Sequence, residues 1–360
     1  MLKYLYIIPF YPLFCMIRIQ SEYGWMPLKK WQALLTWFFK LVLIEPFRIA
    51  EAMVMAFLPE KKVRPIFIIG FFRSGTTYLQ ELLAADKAHN TLTLFQSVLP
   101  ELSLLFGWFL VPVFSAITKV FHVSNQFHDL PFSWRFPGEE DVALNAMMAL
   151  HDYNRIYQYP SRHKMIADSF LFFRDPEDEK RWSAHYKYLV KKLAYMYWNT
   201  RLVLKSPPNM GRIGLLQEMF PDAKFIFIHR DPYISIPSTK MIWKLNNVFS
   251  FEEYTESDVE DILIEQYQGF YELFKAQSGH TVCTTITFEQ LIRDSTATMG
   301  YIYKELGLEG WEKAKPGISA IQAKRKKSTI LRLDDQIPAF LQKAGYIREI
   351  RNELGYYSHQ

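Results

Sequence analysis

Short apolar runs alternate with segments of helical period along the chain. Each run has the length and composition of a buried strand and is closed by glycine, proline or polar residues. Helical periods follow the first three runs, as TTYLQELLAAD, NMGRIGLLQEMF and YISIPSTKMIWKL. Buried strands alternating with helices predict an α/β fold, a parallel sheet with helices on both faces. The four runs are RPIFIIG from Arg64, RLVLKSP from Arg201, DAKFIFIHRDP from Asp222 and HTVCTTITF from His280.

Residues 1–60 form an apolar extension ahead of the first strand. The opening run MLKYLYIIPFYPLFCMI is followed by no small-residue cleavage site. The next apolar stretch is broken by Lys40, Glu45 and Arg48, which favours an amphipathic helix over a membrane span. That helix either packs on the domain or lies in a membrane interface. We therefore expect a cytoplasmic protein, with membrane association through the N-terminal segment as the open alternative.

A long insert, residues 92–200, separates the first two strands. Within it, LSLLFGWFLVPVFSAIT is uncharged from Leu102 to Thr118. Such a run favours a buried helix. A lining for an apolar pocket and a contact with a membrane are the alternatives. Inserts at the carboxyl end of a strand often build the pocket of a second substrate.

Composition limits the classes of function. The chain has 360 residues, 49% of them hydrophobic and 16% aromatic, and a net charge of +5. This charge suits a small anion or an anionic membrane and is too weak to indicate nucleic-acid binding. The two cysteines, Cys15 and Cys283, form no disulfide framework or zinc motif, and Cys283 is expected in the core.

The segment GFFRSGTT, residues 70–77, predicts an anion-binding turn between a strand and a helix. Glycines at Gly70 and Gly75 let backbone N–H groups point at an anion, and Ser74, Thr76 and Thr77 add hydroxyl donors. A Walker loop has lysine after its second glycine, whereas this chain has Thr76 there and Arg73 ahead of it. One terminal phosphate suits this arrangement better than a polyphosphate. The alternative is a helix cap with a surface arginine.

The segment HRDPYISIPS supplies a second candidate pair. Arg230 ends a strand, and Ser238 follows eight residues later, two helical turns on, so both side chains can face one phosphate. The alternative is a structural ion pair between Arg230 and Asp231 with a solvent-facing serine.

Three segments together resemble the PAPS-dependent sulfotransferase family, in its bacterial branch with R-S-G-T-T, L-K-S-P and H-R-D-P motifs. They are FIIGFFRSGTTYLQELL, RLVLKSPPNMGRIGLLQEMFPDAKFIFIHRDPYISIPS and ITFEQLIRDSTATMGYIYKELGL, which span roughly residues 64–308. The resemblance implies a P-loop-like sulfotransferase domain over residues 61–323, with residues 92–200 as its helical acceptor-side insert. Residues 324–360 are then a basic segment and a C-terminal helix.

The resemblance also implies a donor and residue roles. The donor is 3′-phosphoadenosine-5′-phosphosulfate (PAPS), the product is 3′,5′-ADP, and no metal is required. The loop of Arg73, Ser74, Gly75, Thr76 and Thr77 would hold the 5′-phosphosulfate, with Arg73 at the bridging oxygen. Other expected contacts are those of Arg230 and Ser238 with the 3′-phosphate and of Lys205 with the transferred sulfuryl group.

The catalytic base is less clearly marked. The cytosolic branch has a K-T-H histidine where this chain has Pro207. FPGEEDVAL resembles the P-x-E-D-E segment of the bacterial branch, which makes Glu139 the first candidate and Glu140 the second. His128 is the third. The alternative for the acidic pair is a helix first turn favoured by the helix dipole.

The basic run at residues 324–327 offers one more nucleotide contact, Lys326, although a charge run is more often a solvated face. For the acceptor, the apolar insert and the aromatic content favour a hydrophobic alcohol, sterol- or lipid-like, over a sugar. The rival functions are a nucleotide kinase of related fold, which would need magnesium and ATP, and a non-catalytic nucleotide-binding or membrane-associated module.

Overall fold

The four apolar runs form parallel strands of one sheet in the computed structural model. β1 (Ile66–Ile69) pairs with β3 (Leu202–Lys205) and with β4 (Lys224–His229), and β4 pairs with β5 (Cys283–Thr287). A short strand, β2 (Asn90–Thr91), completes the order β2-β3-β1-β4-β5. Two residues carry no readable periodicity, which is why the sequence did not predict β2. The predicted α/β fold is confirmed.

The structure describes residues 17–18, 21, 40–121, 132–148, 153–197, 201–247, 250–279, 283–324 and 337–357. Among them, a π-helical turn (Lys40–Ile44) precedes the first long helix, and 3-10 turns occur between helices. The α-helices in chain order are α1 (Glu45–Phe57), α2 (Thr76–Ala84), α3 (Leu94–Val98), α4 (Gly107–Val120), α5 (Glu140–Met148), α6 (His163–Phe170), α7 (Pro176–Met196), α8 (Ile213–Met219), α9 (Pro232–Asn246), α10 (Glu256–Ser278), α11 (Phe288–Arg293), α12 (Ser295–Glu305), α13 (Trp311–Lys324), α14 (Ala339–Gln342) and α15 (Gly345–Glu353).

The chain forms two compact units. The first draws on Met1–Val63, Thr91–Arg155 and Met165–Thr200, and the second on Arg64–Asn90, Ile156–Lys164 and Arg201–Gln360. The second unit therefore contains the sheet strands β1, β3, β4 and β5, which the sequence predicted.

Alternate strand residues of the second unit point to opposite faces of the sheet. Ile66 and Ile226 join a buried cluster with residues of α2, α12 and α13 on one face. On the other face, Phe227 stacks on Phe274 of α10 with ring centroids 4.0 Å apart. Cys283, expected in the core, is half-buried in β5, and burial raises the pKa of its thiol to about 11.

The uncharged run of the insert forms α4, but the expectation that this helix is buried is wrong. Gly107 is the only buried residue of α4, and the indole of Trp108 is 80% exposed. An apolar run predicts that a helix is unfavourable in water, but it does not predict whether the protein core or another apolar environment surrounds the helix. Among the described residues, no helix combines the length and the apolar character needed to cross a bilayer.

Candidate active site

The turn between β1 and α2 requires glycine at two positions. A Cβ on Gly70 would lie 2.3 Å from the carbonyl oxygen of Ile228, and a Cβ on Gly75 would lie 2.5 Å from Cδ2 of Phe288. Gly75 also has φ +95°, a left-handed conformation that side chains disfavour. The backbone of this loop is therefore packed against β4 and the start of α11.

The hydrogen-bond donors of this loop differ in their surroundings. The Ser74 hydroxyl donates to the Phe71 carbonyl at 2.7 Å and is buried, so in this structure it stabilises the turn. Thr76 begins α2, whose N-terminus has no side-chain cap, and Thr77 is half-buried. The positive end of the helix dipole therefore lies at the loop, as in anion-binding turns.

Arg73, Ser238 and Arg230 lie together beside this loop. Arg73 has φ +62° and donates from Nε to the Ser238 hydroxyl at 3.0 Å. Arg230, at the end of β4, donates from Nη1 to the Arg73 carbonyl at 3.5 Å. Its guanidinium carbon also lies 4.5 Å from the ring centroid of Phe288. The structure thus brings Arg73 to Arg230 and Ser238, which lie about 160 residues later in the sequence.

The two arginines concentrate positive charge in a poorly hydrated place. Burial lowers the pKa of the Arg73 guanidinium below its ordinary value. Burial is also the main cause of the lowered pKa of Arg230, where Glu289 opposes the shift and Arg73 adds to it. Within the described residues neither arginine forms a salt bridge, and the buried Nε of Arg230 has no hydrogen-bond partner. A bound anion would satisfy both features.

The alternative pairing of Arg230 with Asp231 does not occur. Asp231 instead accepts three hydrogen bonds from the guanidinium of Arg351 in α15, at 2.9 to 3.0 Å. It also accepts the Tyr233 N–H at 2.9 Å and so caps α9. Asp231 thus holds α15 and α9 together, and its charge is compensated by a residue other than its neighbour.

Lys205 ends β3, the strand beside β1. Its Cα pairs in register with Ile68, two residues before Gly70, and its side chain is 2% exposed. Pro207 then opens a 3-10 turn that runs to Gly211. Since the strands are parallel, Lys205, the loop after β1 and Arg230 all lie at the carboxyl edge of the sheet, where ligands of such sheets gather.

The acidic candidates belong to the first unit. Gly138 donates to the Leu92 carbonyl at 2.8 Å and packs too closely on Thr93 and Ser97 for a side chain. Glu139 is half-buried ahead of α5. Glu140 opens α5, is 0% exposed and accepts the Tyr186 hydroxyl at 3.1 Å. His128 and Lys326 lie outside the described residues.

Sequence reasoning missed three residues that lie around the loop after β1 and the end of β4. Phe288 contacts both the Gly75 position and Arg230, Arg351 holds Asp231, and the Tyr356 hydroxyl donates to Glu289 at 3.1 Å. Phe288 is part of the strand-end segment TFEQ, whose Thr287 and Gln290 form a capping box. That box was a readable signal for a helix start, while nothing local marks Arg351.

Comparison with known proteins adds to this geometry. The curated omega-hydroxy-beta-dihydromenaquinone-9 sulfotransferases Stf3 of Mycobacterium bovis and Mycobacterium tuberculosis are 30% identical to this chain over 258 residues. The aligned region is 69% of this chain, and the chain spans 64% of the length of these relatives.

Two solved structures share the fold. Sulfotransferase STF1 from Mycobacterium tuberculosis H37Rv matches with a TM-score of 0.65 at 17% identity, over 94% of this chain and 90% of that one. Sulfotransferase STF9 from Mycobacterium avium matches with a TM-score of 0.63 at 18% identity, over 87% and 81% of the two chains. These likenesses confirm the predicted sulfotransferase fold.

A family model described as the sulfotransferase family matches residues 65–313, which is more than half of the chain. The prediction of an enzyme of this class, made from segments that contain the motifs at residues 73–77, 204–207 and 229–232, is confirmed at the level of the family. This chain therefore belongs to the sulfotransferase family.

Proposed function

We propose that this chain transfers the sulfuryl group of PAPS to the hydroxyl of a hydrophobic, lipid-like alcohol. The observation that supports the donor most directly is the pair Arg73 and Arg230. Arg230 is buried and Arg73 is half-buried, and within the described residues neither forms a salt bridge. Arg73 donates to the Ser238 hydroxyl, and Arg230 donates to the Arg73 carbonyl. A nucleotide with one phosphate group on each side of its ribose supplies the two anions that this arrangement lacks.

Each residue then has a chemical task. Arg230 and Ser238 bind the 3′-phosphate, which distinguishes PAPS from ATP, while the amides after Gly75 and the Arg73 side chain bind the 5′ end. Lys205 stabilises charge on the sulfuryl oxygens. The acceptor oxygen forms a bond to sulfur as the bond from sulfur to the phosphate oxygen breaks, and 3′,5′-ADP leaves. Removing one such positioned donor typically raises the barrier by ~3 kcal/mol.

The acceptor hydroxyl also needs a group to take its proton. Glu140 is fully buried in the packing of the first unit, and its carboxylate already accepts the Tyr186 hydroxyl. Glu139 is half-buried and lies before the first turn of α5. This difference supports Glu139 as the base and Glu140 as part of the packing of α5.

The acceptor class follows from the relatives and from composition. The curated relatives are named for a hydroxylated menaquinone acceptor, which is a lipid-like alcohol. This chain combines 16% aromatic residues with a run in its insert that is uncharged from Leu102 to Thr118. A lipid-like alcohol suits these features better than a carbohydrate, which requires many converging polar groups.

The donor assignment is tested by calorimetric titration of wild-type protein and Arg230→Ala with 3′,5′-ADP and 5′-AMP. Loss of a charged hydrogen bond should weaken 3′,5′-ADP binding by about tenfold to a hundredfold, while 5′-AMP binding changes by less than about threefold. Arg293→Ala is the matched control, since Arg293 is exposed at the end of α11 in the same unit.

Three outcomes would overturn parts of this proposal. Equal losses for both ligands would refute the 3′-phosphate contact. Preference of the wild type for ATP with magnesium would favour the kinase of related fold. A non-catalytic binding module would be favoured if the wild type bound 3′,5′-ADP but transferred no sulfuryl group to any lipid alcohol, and if Lys205→Ala gave the same result in both assays.

A further inference from the structure

Helix α1 has its polar and apolar faces reversed relative to a helix on a water-exposed surface. Glu45, Arg48 and Glu51 point inward and are at most 6% exposed. Residues on the outward face are apolar, and Phe57 is 86% exposed. Surface helices normally present charged residues to water and apolar residues to the core. The outward face of α1 is therefore built for an apolar neighbour.

The inward charges of α1 are compensated within the first unit. Glu45 and Arg48 form a bidentate pair at 2.6 and 2.8 Å, and Glu51 pairs with the buried Lys192 of α7. Glu51 also accepts the backbone N–H of Leu105 at 2.8 Å. The two Glu51 contacts reach other segments and so fix the rotation of α1, because its apolar side cannot turn inward without breaking the buried ion pair between Glu51 and Lys192.

Helix α4 extends the same apolar side. Phe106, just before α4, meets Phe47 of α1 edge to face with ring centroids 4.9 Å apart. Beyond it, Trp108 is 80% exposed, Phe109 55% and Val120 71%. We call the outward residues of 42–57 and 108–121 the α1–α4 surface. It exceeds the scattered exposed apolar residues usual on soluble proteins.

Polar atoms on this surface are satisfied within it. The Ser115 hydroxyl donates to the Val111 carbonyl at 2.6 Å, and the Thr118 hydroxyl donates to the Phe114 carbonyl at 2.9 Å. The indole N–H of Trp108 donates to the Leu105 carbonyl at 3.0 Å. Protein interfaces use such groups for hydrogen bonds to a partner, at about one per 100–200 Å². Internal satisfaction is what a hydrocarbon environment demands.

The charge of the surface selects the kind of membrane. Glu45 and Glu51 are the only acidic residues between 42 and 57, both are buried, and residues 102–121 contain none. Lys119 is exposed near the end of α4, and the whole chain carries a net charge of +5. The only charge that this surface exposes is thus positive, which complements an anionic lipid headgroup layer.

We infer that the α1–α4 surface docks into the headgroup and acyl boundary of an anionic phospholipid membrane. Helices of 13 and 14 residues lie in the plane of such a boundary, with their aromatic side chains inserted. A role of this docking in reaching a lipid acceptor rests on the proposed function. The membrane-docking surface itself does not depend on the proposed function.

The test is sedimentation of the full chain with vesicles of phosphatidylcholine, with and without phosphatidylglycerol. The wild type should bind the anionic vesicles more tightly, and Trp108→Ser with Phe109→Ser should reduce binding by about tenfold or more. Tyr301→Ser is the matched control, because Tyr301 is 47% exposed on α12 of the second unit. It should change binding by less than about twofold.

Two further measurements separate the alternatives. Lys119→Gln should weaken binding to anionic vesicles only, whereas Lys187→Gln, exposed on α7, should not. Unchanged 3′,5′-ADP affinity and circular dichroism will show that the double variant is folded. Vesicle binding without 3′,5′-ADP binding in the wild type would sink the proposed function alone.

Docking is overturned if the wild type does not bind anionic vesicles, or if the double variant binds as the wild type does. A wild-type dimer in analytical ultracentrifugation that the double variant abolishes, without vesicle binding, would assign the surface to a second copy of the chain.

Discussion

Replacement of Arg351 by methionine should strongly destabilise the second unit. The guanidinium of Arg351 makes three hydrogen bonds of 2.9 to 3.0 Å to the Asp231 carboxylate, and the two side chains are 10% and 8% exposed. Removal of one partner of a buried ion pair leaves the other charge uncompensated, at a cost of about 3–5 kcal/mol. We expect about 3 kcal/mol, because Asp231 keeps the Tyr233 N–H.

The assay is urea unfolding followed by circular dichroism, with Lys275→Met as the matched control. Lys275 of α10 pairs with Glu353, which lies on α15 as Arg351 does, but the side chains of Lys275 and Glu353 are 53% and 46% exposed. Exposed pairs contribute about 1 kcal/mol or less, so Lys275→Met should lower the free energy of unfolding by no more than that. Asp231→Asn combined with Arg351→Met should be less destabilised than the sum of the single changes.

Donor binding gives a second readout. With Arg351 gone, the Asp231 carboxylate is free to attract its neighbour Arg230, so 3′,5′-ADP affinity should fall in Arg351→Met and recover in the double variant. If Arg351→Met lost no more stability than Lys275→Met, the Asp231–Arg351 pair would behave as a solvated contact. The account of how α15 fixes the start of α9 would then be refuted.

Three further predictions concern the loop, the base and pH. Gly75→Ala should lower the free energy of unfolding by about 2 kcal/mol or more and weaken 3′,5′-ADP binding, because of its φ of +95° and the contact with Phe288. Gly279→Ala, at φ −64° with open space around it, should lower it by no more than about 0.5 kcal/mol. Glu139→Gln should reduce the rate of sulfuryl transfer by about a hundredfold or more without changing 3′,5′-ADP affinity, whereas Glu140→Gln should mainly lower the melting temperature; the reverse pattern would exchange their roles. Burial lowers the pKa of His185 to about 3 and that of His229 to about 4. Between these values and about pH 6.5, the two histidines are therefore protonated in the unfolded state but neutral in the folded state. Urea melts should therefore show stability falling on acidification from about pH 7 to about pH 5, by up to about 1.4 kcal/mol per pH unit for each histidine, with a smaller slope in His185→Gln; an unchanged slope in that variant would contradict the assignment.

Local pattern was enough to predict the sheet and the loop at its carboxyl edge. The strands appear in the sequence as short apolar runs because both faces of a parallel sheet are buried. Gly70 and Gly75 mark a turn in which neither position has room for a side chain. Residues at the strand ends, such as Lys205 and Arg230, lie at the same edge of the sheet because its strands are parallel. The predicted roles of these residues remain predictions.

Contacts that depend on distant segments were beyond sequence reasoning. Arg351 lies 120 residues from Asp231, and no periodicity or motif links the two positions. The environment of α4 was unreadable for a different reason. The uncharged run from Leu102 to Thr118 predicts only that water is unfavourable around it, and burial in the core is one of several ways to meet that demand.

The reversed faces of α1 have a consequence for protein production. Trimming an apolar N-terminus is a common remedy for poor solubility, and the predicted boundary at residue 61 would suggest starting there. Such a shortened chain loses Glu51, which forms a buried ion pair with Lys192. It also loses the buried side chains of Ala52 and Met55, so the shortened protein should be recovered in poorer yield than the full chain. Substituting polar residues for Leu43 or Phe57 on the outward face would remove apolar surface and leave these inward contacts in place.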